Sequence, residues 1–191
     1  MTEAQLLSAC LRAEPRAQTA FYEYFKKRVW AVCRRYTRTT AEAEDVLQEV
    51  FIKLFGQLHK VQKPESLGGW VRQVTVTVAV DYYRSHAREN GLLNLEESLG
   101  DVELHHYEAP LAIERLSYQE MLDIIHSLPE GYRMVLNLYV IDGYTHPEIA
   151  QMLGISEGTS RSQLSRAKEA FRRRLETEEK KTIVEPLFSL N

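Results

Sequence analysis

The chain has 191 residues, 44% of them hydrophobic, with a formal net charge of −3 and two cysteines. That length holds one large or two small domains with real cores, and Cys10 and Cys33 are too few, and wrongly spaced, for a disulfide framework or a metal cluster, so buried thiols are expected. No apolar run approaches the roughly 20 residues of a membrane span, and MTEAQLLSACLRAE lacks the basic start and apolar centre of a secretion signal, so a cytoplasmic protein without membrane insertion is expected.

In chain order, Phe21, Phe25, Val29, Val32 and Tyr36 recur at helical spacing, and Val46, Leu47, Val50, Phe51, Leu54 and Leu58 form a stronger stripe. Both predict core helices. Between Leu67 and Arg88 two patterns compete, because VTVTVAV (74–80) alternates β-branched residues like a strand, while Leu67, Trp70, Val71, Val74, Val78 and Tyr82 fit a helical stripe. No second segment of strand character is present to pair with it, so helix is the expectation. Residues 89–110 contain two glycines, one proline, six acids and no Lys or Arg, which predicts a flexible acidic linker. A helical pattern returns from Ala112 through Leu116, Met121, Leu122 and Ile125, stops near Pro129, and resumes as Tyr132, Val135, Leu136 and Tyr139. The fold class is therefore all-α: two small helical domains joined by the acidic tether.

The stretch 145–174, THPEIAQMLGISEGTSRSQLSRAKEAFRRR, has the pattern of a helix-turn-helix. Thr145 with Glu148 makes a capping box for a short helix with Ile149, Ala150 and Leu153 inward, and Gly154 stops it. Ser156 can cap a second helix, along which Ser160, Leu164, Ala167, Phe171 and Leu175 share one face. Between 157 and 175 there are six basic residues and two acidic ones. In such motifs the start of the second helix meets base edges and basic side chains along it reach phosphates. Ser156, Glu157, Thr159, Ser160, Arg161 and Gln163 are the candidates near the bases, with Arg166, Lys168 and Arg173 on the backbone. The competing reading is an ordinary amphipathic helix with a solvated basic face.

Charge is patterned to match. Residues 1–88 carry 14 basic and 9 acidic groups, 89–130 carry 1 and 10, 131–175 carry 7 and 4, and 176–191 carry 2 and 4. Two basic blocks around an acidic one suit two polyanion-binding surfaces joined by a segment that avoids or imitates a polyanion.

With both halves in view, the chain resembles the extracytoplasmic-function (ECF) sigma factors, the two-domain class of bacterial RNA polymerase sigma subunit. AEAEDVLQEVFIKLF (41–55) resembles the family's core-polymerase-binding helix, with its signature at Asp45, Gln48 and Glu49, and Phe51 is carried over with them. GWVRQVTVTVAVDYYRSHAR (69–88) resembles the promoter-melting helix, which implies a downstream-element role for Trp70, Arg72, Gln73, Thr77, Asp81, Arg84 and Arg88. The segment 128–168 is similar to the domain that reads the upstream element. The resemblance implies sigma region 2 at 1–90, a linker at 91–112 that threads the polymerase channel, region 4 at 113–178 and a C-terminal tail at 179–191 bearing Ile183, Val184, Leu187, Phe188 and Leu190. It also implies core RNA polymerase and promoter DNA as partners, room for an anti-sigma factor, a monomer when free, no cofactor, no metal and no catalysis. Thr77 departs from the family, which usually has asparagine there, so a hydroxyl replaces the planar amide.

Two other readings compete with this one. A stand-alone helix-turn-helix regulator would need no partner face on the Asp45 helix and would dimerise on a palindrome. An enzyme would have to use Glu103, His105, His106, Glu108 and His126, most of them in the linker and without ligand spacing on a helix.

Overall fold

The computed structural model describes residues 2–89 and 117–188, with side chains described at 2–86 and 117–176. They fall into two compact units, Met1–Asn90 and Gly91–Asn191, and every regular element among the described residues is helical. The acidic segment 91–112 and the start of the returning pattern at Ala112–Leu116 lie outside the described residues, as do the side chains of the C-terminal tail.

In the first unit α1 (Glu3–Leu11) and α3 (Thr40–Gln57) each begin with a reciprocal capping box, Thr2 with Gln5 and Thr39 with Glu42. Helix α2 (Ala17–Tyr36) buries Phe21, Phe25, Val29, Val32 and Tyr36, the stripe read from the sequence. Helix α3 buries Val46, Val50, Phe51 and Leu54 against it. After two short 3₁₀ turns, Leu58–Lys60 and Pro64–Ser66, α4 (Leu67–Glu89) runs through the unit.

The contested VTVTVAV run is helical. Helix α4 packs against α1, α2 and α3, so its buried face is wider than one stripe and takes in Val74, Thr75, Val76, Val78, Ala79 and Val80. That width is why the apolar residues fall on alternate positions. Thr75, fully buried, satisfies its hydroxyl by donating to the Val71 carbonyl at 2.7 Å. The start of α4 is tethered by Glu3, whose carboxylate accepts from the Gly68 N–H at 2.9 Å and from Arg28 Nη1 at 3.0 Å. A carboxylate there satisfies an otherwise orphaned N-terminal donor and complements the helix dipole. Any side chain at Gly68 would bring its Cβ within 3.1 Å of that carboxylate.

In the second unit Ser117 and Glu120 cap α5 (Tyr118–Ser127), and α6 (Glu130–Leu136) continues into a π turn over Asn137–Ile141. The wider turn rotates the chain relative to an α-helical pattern, and Tyr139, read as part of the apolar stripe, is 39% exposed. Then come α7 (His146–Leu153) and α8 (Glu157–Phe188). Helices α5, α6 and α7 all contact α8, whose Leu164, Ala167, Phe171 and Leu175 are buried. Helix α8 runs through Phe188, so the segment set apart as a tail at 179 begins inside it.

Candidate nucleic-acid interface and partner face

The α7–α8 turn follows directly from its residues. Thr145 donates from its backbone N–H to Glu148 Oε2 at 2.8 Å, and these bonds from Thr145 hold the Glu148 carboxyl below its usual range. Gly154 closes α7 at φ +71°, a left-handed conformation that costs any other L-residue about 1–2 kcal/mol. Ser156 Oγ accepts from the Thr159 N–H at 2.9 Å, satisfying a donor in the first turn of α8.

Along α8, Ser156, Glu157 and Arg161 are exposed, and Thr159, Arg166 and Lys168 half-buried. The Arg161 guanidinium lies 3.3 Å from Glu157, and Arg173 pairs with Glu169 one turn back. Two members of the sequence-derived set do not belong on this face: Ser160 is fully buried and Gln163 is 5% exposed. They lie three residues apart on the side of α8 that packs inward. Ser160 Oγ meets His146 Nδ1 at 2.9 Å, and the Gln163 amide fills the space where a Cβ on Gly131 would sit at 3.1 Å.

His146 itself was not singled out from the sequence. Its ring stacks on Tyr139 with centroids 4.6 Å apart, and burial first, then the Arg161 guanidinium, push it below the usual histidine value, which favours the neutral ring.

In the first unit, Arg72, Gln73, Thr77 and Asp81 are exposed on α4, and Trp70 and Arg84 half-buried. The side chain of Arg88 lies outside the described residues. The Thr77 hydroxyl donates to the Gln73 carbonyl at 2.9 Å, so its proton is committed within the helix and its oxygen remains an acceptor. Asp81 Oδ2 lies 3.8 Å from Lys53 Nζ, which links α4 to α3.

On α3, Asp45, Gln48 and Glu49 are exposed side by side. Phe51 is not with them. It is 5% exposed, with its ring 4.5 Å from Tyr22, because it turns toward α2 beside Val50 and Leu54. The apolar residue that does share the exposed face is Ile52, 74% exposed and one turn beyond Gln48. Sequence reading missed it, since Val50-Phe51-Ile52 looks like one uninterrupted core run. A groove between α2 and α3, lined by Tyr22, Trp30 and Leu47 with Lys26, Glu44 and Gln48, opens beside this face.

Among the described residues no group of three or more His, Cys, Asp or Glu is placed to hold a metal ion, and no helix is long and apolar enough to cross a membrane. Burial holds the Cys33 thiol up at about 12, so this side chain is an inert core residue.

Two family models match the chain. The family model for Sigma-70 region 2 matches residues 21–89, and that for Sigma-70, region 4 matches 113–171. The chain is 31% identical over 171 residues to the Probable RNA polymerase sigma factor RfaY of Xanthomonas campestris, which covers 88% of this chain and 42% of that relative. It is 25% identical over 182 residues to the ECF RNA polymerase sigma-E factor of Escherichia coli, covering 90% of this chain and 93% of the relative. Among solved structures, the sigma factor RpoE of Bartonella quintana, in complex with the anti-sigma factor NepR, aligns with a TM-score of 0.52 at 17% identity, over 84% of this chain and 98% of that one, a likeness of fold.

Proposed function

The chain belongs to the sigma-70 family of RNA polymerase sigma factors, in its ECF class, and on that premise we propose how its residues divide the work. A sigma subunit has no catalysis of its own; it brings core polymerase to promoters. Residues 1–90 act as region 2. Asp45, Gln48 and Glu49, with Ile52, dock on a helical surface of core polymerase, and Trp70, Arg72, Gln73, Thr77, Asp81, Arg84 and Arg88 of α4 track the downstream element as the duplex opens. Residues 91–112 connect the two domains. Residues 113–178 act as region 4, with Thr159 and Arg161 at base edges and Arg166, Lys168 and Arg173 at phosphates of the upstream element.

The observation that carries this reading is the order of three surfaces on one chain: an acidic and amide-bearing face on α3, a polar stripe on α4 that begins at a tryptophan, and a capped helix-turn-helix with a basic second helix. A stand-alone regulator has no use for the first two. The protein works in the cytoplasm, where polymerase is, and is monomeric when free. An anti-sigma partner that covers the α3 face and α8 together would hold it inactive, a reading supported by the company of the RpoE fold relative.

The test is size-exclusion chromatography with and without purified core polymerase. The expected result is a monomeric free chain that co-elutes with core polymerase at one to one. A stable dimer that ignores polymerase and protects a palindromic site would return the chain to the class of stand-alone regulators.

A further inference from the structure

Ser160, fully buried, and His146 are polar residues that meet between α7 and α8. His146 is the first residue of α7, and Ser160 sits in the first turn of α8, one position before Arg161. Their side chains meet at 2.9 Å between Nδ1 and Oγ, and either tautomer of the neutral ring allows the bond, with Ser160 donating or accepting. The imidazole is held in place by its stack on Tyr139, at 4.6 Å and 24°. The other end of the contact is anchored too, since Lys168 Nζ lies 5.9 Å from the centre of the same Tyr139 ring. One aromatic ring from the π turn therefore touches α7 and, directly or through His146, holds α8 at two points, Ser160 and Lys168, about 12 Å apart along the helix axis.

We propose that the Tyr139–His146–Ser160 contact is a specificity buckle: it sets the rotation and depth of α8 so that the side chains just outside it, Thr159 and Arg161, present to base edges. His146 and Ser160 are positioning residues, acting through Arg161 and touching no base themselves. A hydrogen bond serves this role where apolar packing would not, because it fixes direction as well as distance. Bidentate base recognition by an arginine depends on direction more than phosphate contact does, so losing the buckle costs discrimination before it costs affinity. The groups facing the imidazole are Tyr139 from the π turn and Glu157, Ser160, Arg161 and Lys168 from α8. Burial and the two cations favour a neutral ring, which keeps both hydrogen-bond polarities open to it. This inference rests on the reading of α8 as the helix that reads DNA.

The experiment uses the full chain reconstituted with core RNA polymerase. Duplexes are selected from random-sequence DNA by the wild-type complex, and affinity is compared between a selected duplex and one shuffled only in its upstream element. His146→Phe keeps a ring for the stack and loses the hydrogen bond, Ser160→Ala removes the other partner, and His146→Asn restores a polar atom near the place of Nδ1. Each single loss should lower discrimination about tenfold, with affinity for the shuffled duplex and melting temperature close to wild type. The double variant should lose no more than either single one, and His146→Asn, which returns the polar atom but not the stacked ring, should recover part of the discrimination. Discrimination unchanged in both His146→Phe and Ser160→Ala would overturn the buckle. Equal losses on both duplexes would also overturn it and mark the pair as plain packing. A wild-type complex that cannot tell the two duplexes apart would instead overturn the reading of α8.

Discussion

Replacing Gln48 and Glu49 together by alanine is expected to weaken binding to core RNA polymerase by about tenfold or more, and Ile52→Asp alone by at least as much, with melting temperatures near wild type. Both effects follow from geometry. Gln48, Glu49 and Ile52 are exposed on one face of α3, whose opposite side holds Val46, Val50 and Leu54 in the core. Substitutions at such exposed positions normally change stability by no more than about 0.5 kcal/mol, so folding should not report them. At a protein interface the same truncations are costly, because central anchors are worth about 2 kcal/mol or more each. Ile52 is 74% exposed in the free chain, and an aspartate in its place would carry a charge into the contact. Calorimetric titration with core polymerase, beside thermal unfolding of each variant, separates the outcomes. Loss of binding in step with loss of stability would make α3 a structural helix and remove its partner role.

The second large effect distinguishes two arginines on α8. Arg161→Ala should reduce discrimination between cognate and shuffled upstream elements by roughly tenfold to a hundredfold, the value of one good contact to a base edge. Arg173→Ala should lower affinity for every duplex alike and reduce the slope of log affinity against log salt by about 1. Twelve residues separate them, about 18 Å along the axis, so Arg173 lies well past the first turns that a recognition helix places in the major groove. Both are exposed, and both have a glutamate one turn before them, so neither is committed to the core. Binding curves at several salt concentrations measure both quantities. An equal loss of discrimination from the two variants would sink the assignment.

Much of this fold is legible in the sequence because its helices obey simple patterns. Phe21 to Tyr36 and Leu164 to Leu175 are spaced as single stripes, and both are buried as such. The capping box at Thr145 and the glycine at 154 announce the turn by local chemistry alone. Departures occur where tertiary context overrides one-dimensional pattern. The VTVTVAV run looks like a strand because α4 is packed by three helices at once, and the lack of a partner strand together with the Leu67-to-Tyr82 stripe argued for helix. Tyr139 leaves its stripe because a π turn, which periodicity does not encode, intervenes. At the sites, burial of three candidates has one cause. Phe51, Ser160 and Gln163 were placed by proximity to a motif, and the phase of the helix turns each of them inward. Ile52 was hidden for the converse reason, an apolar residue in an apolar run that faces out. The bond from Glu3 to Gly68 links residues too far apart in the chain for local spacing to suggest.

A sigma subunit of this kind directs core polymerase to promoters by reading two DNA elements. Run-off transcription tests it most directly, using purified core polymerase, the full chain and fragments of its own genome, with start sites mapped. The expected result is discrete starts that depend on the chain and share two sequence elements, the one farther upstream no longer distinguished by Arg161→Ala. Transcription from core polymerase that is unchanged by adding the chain would contradict it.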